Sequence, residues 1–118
     1  MKHSLRRSEL GARYGLNQHF QGLAVLTPSG ASVRFRGVDV SSHGLGCVVF
    51  GAVNMRDVLR IDIDGHHFHF EVMWVESYLG IEDTYRIGLQ CLDRFADIRS
   101  RLSVLGFVTA AIEEEFVA

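Results

Sequence analysis

The strongest local constraint in the chain is the pair Asp64-Gly65, which stands between two runs that alternate apolar and polar residues. Both residues tolerate φ > 0, the requirement of a two-residue type I′ hairpin turn. Before the pair, Val58 to Ile63 sets Leu59, Ile61 and Ile63 on one face against Arg60 and Asp62 on the other. After it, His67 to Val75 sets Phe68, Phe70, Val72 and Trp74 on one face. A period of two over both runs predicts adjacent antiparallel strands.

Four more runs share that character. Phe20 to Leu26 is followed by the turn Thr27-Pro28-Ser29-Gly30 and by Ser32 to Val40, where Val33, Phe35 and Gly37 alternate with Arg34, Arg36 and Val38. Gly46 to Phe50 is a short apolar run. Thr84 to Leu92 sets Tyr85, Ile87, Leu89 and Cys91 opposite Arg86, Gly88 and Gln90. Glycines fall mostly between the runs, the pattern of an all-β barrel or sandwich. After Asp93 the period becomes 3.6: Phe95, Ile98, Leu102 and Leu105 form one helical stripe. Asp93 is its expected N-cap and Gly106 its terminator, with further helical turns expected over Val108 to Phe116. Glu113, Glu114 and Glu115 oppose the helix dipole, so fraying is expected there. The expected fold is all-β: a six-stranded antiparallel barrel with a C-terminal α-helix.

A chain of 118 residues suffices for one core and not two. With 47% hydrophobic and 22% charged residues it reads as globular rather than disordered. No uncharged apolar run approaches the ~18 to 20 residues of a membrane span. The opening stretch Met1 to Arg13 lacks the apolar segment of a secretory signal, and the two cysteines, Cys47 and Cys91, sit in apolar runs as buried thiols do. A cytoplasmic location is the expectation. The net charge of −2 argues against a duplex nucleic-acid binder. That charge is unevenly spread. Lys2, Arg6, Arg7 and Arg13 against Glu9 alone give the first 13 residues +3, leaving −5 on the rest. Residues 1–12 therefore read as a flexible basic arm on a domain over residues 13–118. Such an arm either meets a compact anion or is an unliganded tail.

The segment Asp39-Val40-Ser41-Ser42-His43-Gly44 is where chemistry is most concentrated. A carboxylate at a strand end accepts from paired N–H donors, such as the N1 and N2 edge of guanine. A serine adds a hydrogen bond, and a glycine lets a ligand approach the backbone. An ordinary Asx or ST turn at a hairpin has the same composition.

Asp39-x-Ser41-x-x-Gly44, at the end of the second of six strands that precede a helix, resembles the signature of the PilZ domain family. Tyr85-Arg86-Ile87-Gly88-Leu89-Gln90-Cys91-Leu92-Asp93 looks like that family's last strand, and the likeness spans roughly residues 13 to 105. The resemblance implies a PilZ-like barrel that binds cyclic di-GMP, a bacterial second messenger with two guanines and two phosphates. It implies a site of Asp39, Ser41 and Gly44 together with an Arg-x-x-x-Arg segment ahead of the first strand. Here that segment is Arg13-Tyr14-Gly15-Leu16-Asn17, so asparagine stands at the second arginine. Arg6 and Arg7 are the candidates to substitute. The absence of one charge-assisted bidentate interaction costs about 1.5–3 kcal/mol. Trp74, the only tryptophan, reads from its strand as a core or barrel-rim aromatic; the resemblance implies a large residue there beside the ligand.

Other chemistry is thin. His66, His67 and His69 read as solvated strand histidines, since a zinc site needs three or four convergent ligands and Cys-x-x-Cys is lacking. Asp62, Asp64, Glu82 and Asp83 read as turn carboxylates, and no phosphate-binding glycine loop occurs. The expectation is a non-enzyme without a resident cofactor. Two classes stay open: a cyclic di-GMP receptor acting through a partner protein, and a degenerate PilZ-like interaction module that does not bind the nucleotide.

Overall fold

The computed structural model describes residues 12–112. Eight strands and one helix follow in order: β1 (Tyr14–Leu16), β2 (Gln21–Thr27), β3 (Ser32–Val40), β4 (Gly44–Val49), β5 (Val58–Ile63), β6 (His66–Ser77), β7 (Tyr85–Cys91), α1 (Ile98–Val104) and β8 (Val108–Ala111). All pairings are antiparallel. The order β2-β5-β6-β7-β4-β3 closes on itself because β3 also pairs with β2. The six strands expected from the sequence thus form a closed barrel, which leaves none of the six with an open edge over its paired length.

The hairpin turn falls at Asp64 and Gly65, with φ of 53° and 81°, and brings Ile63 opposite His66. Inside the barrel, Leu59, Ile61, Phe70, Val72, Ile87 and Leu45 are almost wholly removed from solvent. Each comes from the inward position of its strand's alternation. Burying each such side chain contributes about 1.5–3 kcal/mol.

Helix α1 covers the barrel end marked by the β3–β4 and β5–β6 turns. Ile98 and Leu102 enter the core, the Ile98 amide donates to the Ser42 carbonyl at 2.9 Å, and the Arg101 guanidinium lies 5.1 Å from the Phe68 ring centroid. The sequence expectation needs two corrections here. Asp93 does not cap the helix; its carboxylate accepts from the Phe95 amide at 3.1 Å in a separate turn, which leaves Phe95 96% exposed. The N-cap is Asp97, whose carboxylate accepts from the Ser100 amide at 3.1 Å. The helical stretch expected from Val108 is instead strand β8. After Gly106 the chain reverses, Phe107 packs its ring 5.2 Å from Phe20, and Val108 and Ala111 pair with Leu16 and Tyr14. Pairing with β1 supplies the hydrogen-bond partners that local helical pattern would otherwise have supplied. Residues 113–116 of that expected helix lie outside the described residues. So does the basic arm with Arg6 and Arg7, apart from Ala12.

The Ser100 amide holds the Asp97 carboxyl below its ordinary value of 3.8. A group lowered in this way contributes stability above its unfolded pKa, and loses it as pH falls through the folded value. Asp97→Ala is expected to cost about 1 kcal/mol at neutral pH in urea denaturation. The gap between variant and wild type should narrow in strong acid; a gap of constant size across that range would exclude the capping role.

Candidate functional site

One lateral row of residues crosses five strands: Gly15 on β1 faces Asp39 on β3, Asp39 faces Gly46 on β4, Gly46 faces Gly88 on β7, and Gly88 faces Trp74 on β6. Cys47 and Ile87, the sequence neighbours of Gly46 and Gly88, are core residues, so the row lies on the outer wall. Two irregularities place its ends there. The β3–β4 register shifts between Gly37 and Asp39, and the β6–β7 register shifts between Val72 and Trp74. An extra residue at a bulge turns every later side chain to the opposite face. Val40 consequently enters the core and Asp39 faces out. Trp74 does not share the face of Phe68, Phe70 and Val72, as plain alternation predicts. Those three are buried, whereas Trp74 is 40% exposed.

The two central glycines form a trough between Asp39 and Trp74. A Cβ on Gly46 would stand 2.4 Å from Asp39 Oδ1 and 2.8 Å from Arg86 Nη1. A Cβ on Gly88 would stand 2.2 Å from Trp74 Nε1. Neither position admits a side chain while the carboxylate, the guanidinium and the indole lie flat on the sheet. This is close approach over a strand glycine.

Asp39 is 8% exposed and each of its carboxylate oxygens meets an arginine. Arg13, 26 residues upstream, donates from Nη2 to Oδ1, and Arg86 donates from Nη2 to Oδ2 at 3.1 Å. Arg86 Nη1 also donates to the Ile87 carbonyl at 3.1 Å, and its guanidinium carbon lies 5.5 Å from the Trp74 ring centroid. The trio carries a net +1 in a partly desolvated setting, where charge interacts more strongly than in water.

Beside the trio lies a cleft of about 730 Å³ lined by Arg13, Ser41, Gly44 and Trp74, with His43, Met73, Gln90 and Arg94 completing much of the wall. Ser41 is buried, and its amide donates to the Gly44 carbonyl at 2.9 Å, which closes the β3–β4 turn. A Cβ on Gly44 would come to 2.9 Å from Ser41 Oγ. The turn is fixed from outside by the Cys91 amide, which donates to the His43 carbonyl at 2.8 Å. Two arginines and a histidine, with no carboxylate among the described lining residues, make the cleft suited to an anion.

The structure therefore gathers Arg13, Ser41, Gly44 and Trp74 around one cavity, with Asp39 behind Arg13. Asn17 is elsewhere. Its Nδ2 donates to the Gly106 carbonyl at 3.0 Å and its Oδ1 accepts from the His19 amide at 3.0 Å, so it ties the end of β1 to the end of α1. Arg86, Gly46 and Gly88 received no site role from the sequence. The available signal was a glycine inside a strand, Gly88, two residues beyond an arginine on the same face.

Burial raises the Cys91 thiol above its ordinary value and raises the Cys47 thiol far above it, so both stay protonated at neutral pH. His67 Nδ1 lies 2.5 Å from Asp62 Oδ1, its cross-strand neighbour. No group of three potential metal ligands is gathered among the described residues, and no helix among them is long and apolar enough to cross a membrane.

Compared with protein families, curated proteins and solved structures, the chain matches none.

Gly88→Ala tests the trough directly. The added methyl should force the indole off β7 at a cost of about 1–3 kcal/mol. Trp74 emission should shift to the red and become more open to acrylamide quenching, with the far-ultraviolet circular dichroism unchanged. An emission spectrum identical to wild type would show that the indole does not rest on Gly88.

Proposed function

We propose that this chain is a PilZ-like receptor for cyclic di-GMP, working in the bacterial cytoplasm through a partner protein. The observation that carries the reading is the meeting of Arg13 with Asp39 at the edge of a cleft that also takes in Ser41, Gly44 and Trp74. The chemistry of that pair suits a guanine nucleotide. The N1–H and N2–H edge of guanine presents two parallel donors, as a guanidinium does. Guanine can therefore take the place of Arg13 at Oδ1 of Asp39, its second donor using the remaining lone pair of Oδ2 beside Arg86. The displaced guanidinium then meets phosphate oxygens or the O6 and N7 acceptors of a base. Ser41 and the open backbone at Gly44 flank the incoming base, and the Trp74 indole offers a stacking surface. Without ligand the carboxylate is neutralised internally, so it is not left as an unpaired buried charge.

The second reading is an interaction module that does not bind the nucleotide. Two observations favour it. Asn17 is committed to Gly106 and His19, so no second arginine reaches the cleft from that position. Asp39 already has a cation at each oxygen.

Thermal or chemical denaturation with added cyclic di-GMP separates the readings. A receptor gains ~2.7 kcal/mol at a ligand concentration 100 times its dissociation constant. Asp39→Ala and Arg13→Ala should each abolish that gain, and removal of residues 1–12 should reveal the share of Arg6 and Arg7. No gain in wild type would leave the interaction module standing.

A further inference from the structure

We propose that Arg86 is a positioning residue of this site: it keeps one oxygen of Asp39 neutralised, so that the other oxygen can exchange Arg13 for ligand. The inference rests on the cyclic di-GMP reading above and assigns the site a second guanidinium from β7.

The two arginines on Asp39 are held differently. Arg86 rises from within β7, flanked by Val48 on β4 and Glu76 on β6. Its planar group is fixed from three sides, by Asp39 Oδ2 at 3.1 Å, the Ile87 carbonyl at 3.1 Å and the Trp74 ring. The missing side chain at Gly46 gives it the room to lie there. Arg13 precedes a three-residue strand, and among the described residues Asp39 is its only hydrogen-bond partner through the side chain. Arg13 lines the cleft and Arg86 does not. Arg13 is thus the cation a ligand meets, and Arg86 is the one that stays.

Charge fixes what each can do. With both arginines present, release of Arg13 leaves a neutral Asp39–Arg86 pair. With Arg86 gone, release of Arg13 strands an unpaired carboxylate whose side chain is only 12% exposed. A buried carboxylate without a partner is strongly disfavoured. Arg86 therefore lowers the cost of opening the site without touching the nucleotide. A lysine retains the charge but cannot span both Asp39 and the Ile87 carbonyl with one planar fork.

Trp74 is the only tryptophan in the chain, so its emission reports on this wall alone. The experiment titrates cyclic di-GMP against wild type, Arg86→Gln and Arg86→Lys, following Trp74 emission, with calorimetric titration and a thermal melt of each protein. The expected result is saturable binding by wild type and a ~10- to 100-fold loss in Arg86→Gln. Arg86→Lys should recover at least part of that loss while both variants melt cooperatively. Wild-type affinity in Arg86→Gln overturns the positioning role and leaves the cyclic di-GMP reading intact. Equal weakness in Gln and Lys variants, with no rescue by charge, also overturns it. Should Arg86→Gln not fold, retention of binding by Arg86→Lys supports the role and loss of binding overturns it. No binding by wild type overturns both this inference and the reading beneath it.

Discussion

Everything in this fold depends on how β3 divides its pairing. One edge of β3 bonds to β4, while the other is shared: Ser32 to Arg36 pair with β2, and Asp39 and Val40 pair with β1. The first share closes the barrel, and the second carries β1 and β8 outside it. The handover occurs at Gly37, whose amide donates to the Phe20 carbonyl at 2.8 Å. A Cβ there would stand 2.5 Å from the Phe20 ring and 2.8 Å from Leu16 Cδ1. The absent side chain lets Phe20 reach the interior, where its ring lies 5.4 Å from Phe35 and 5.2 Å from Phe107. The bulge that follows turns Asp39 outward, so the same few residues set both barrel closure and the placement of the site.

The charged trio has a plain energetic logic. Removing a carboxylate and two guanidinium groups from water is costly, and their attraction repays it only with good geometry and satisfied donors. Here the geometry comes from the sheet itself. Adjacent strands hold the row from Asp39 to Trp74 in register, and two glycines remove the atoms that would otherwise separate the groups. A single carboxylate under two arginines gives a cluster with one cation in excess. That excess faces a cleft already lined by Arg94 and His43, in a protein whose overall charge is negative. A cleft lined by one sign of charge focuses the field and raises the local concentration of the opposite ion.

Much of this architecture was legible in the chain, because strand periodicity and turn chemistry are local. Runs between Phe20 and Leu92 were legible as six strands, one of them, Gly46 to Phe50, as an apolar run, and Asp64-Gly65 marked the sharpest turn. Asp39, Ser41 and Gly44 stood out because a carboxylate, a hydroxyl and a glycine within six residues make a compact polar turn. The helix cap and the C-terminal strand were misread locally because their causes lie outside the segment. Asp93 and Asp97 are both competent caps four residues apart, and only the docking of Ile98 under Ser42 selects between them. Val108 to Ala111 carries no decisive pattern of its own, and its strand exists because β1 offers an edge.

The kind of fold and the polar turn at its centre are written in the chain, since both follow from the spacing of side chains along the backbone. The face on which Asp39 and Trp74 stand, and the arginines near them, are settled only when the strands pair. A bulge is a mismatch between two strands, so its position belongs to the pair and not to either run of residues. Arg86 meets Asp39 from 47 residues away because β4 lies between their strands and offers a glycine at the crossing. Asn17 leaves the cleft for Gly106 because the end of α1 is brought beside β1. Distances of that kind are set by strand order and register, which no local pattern encodes.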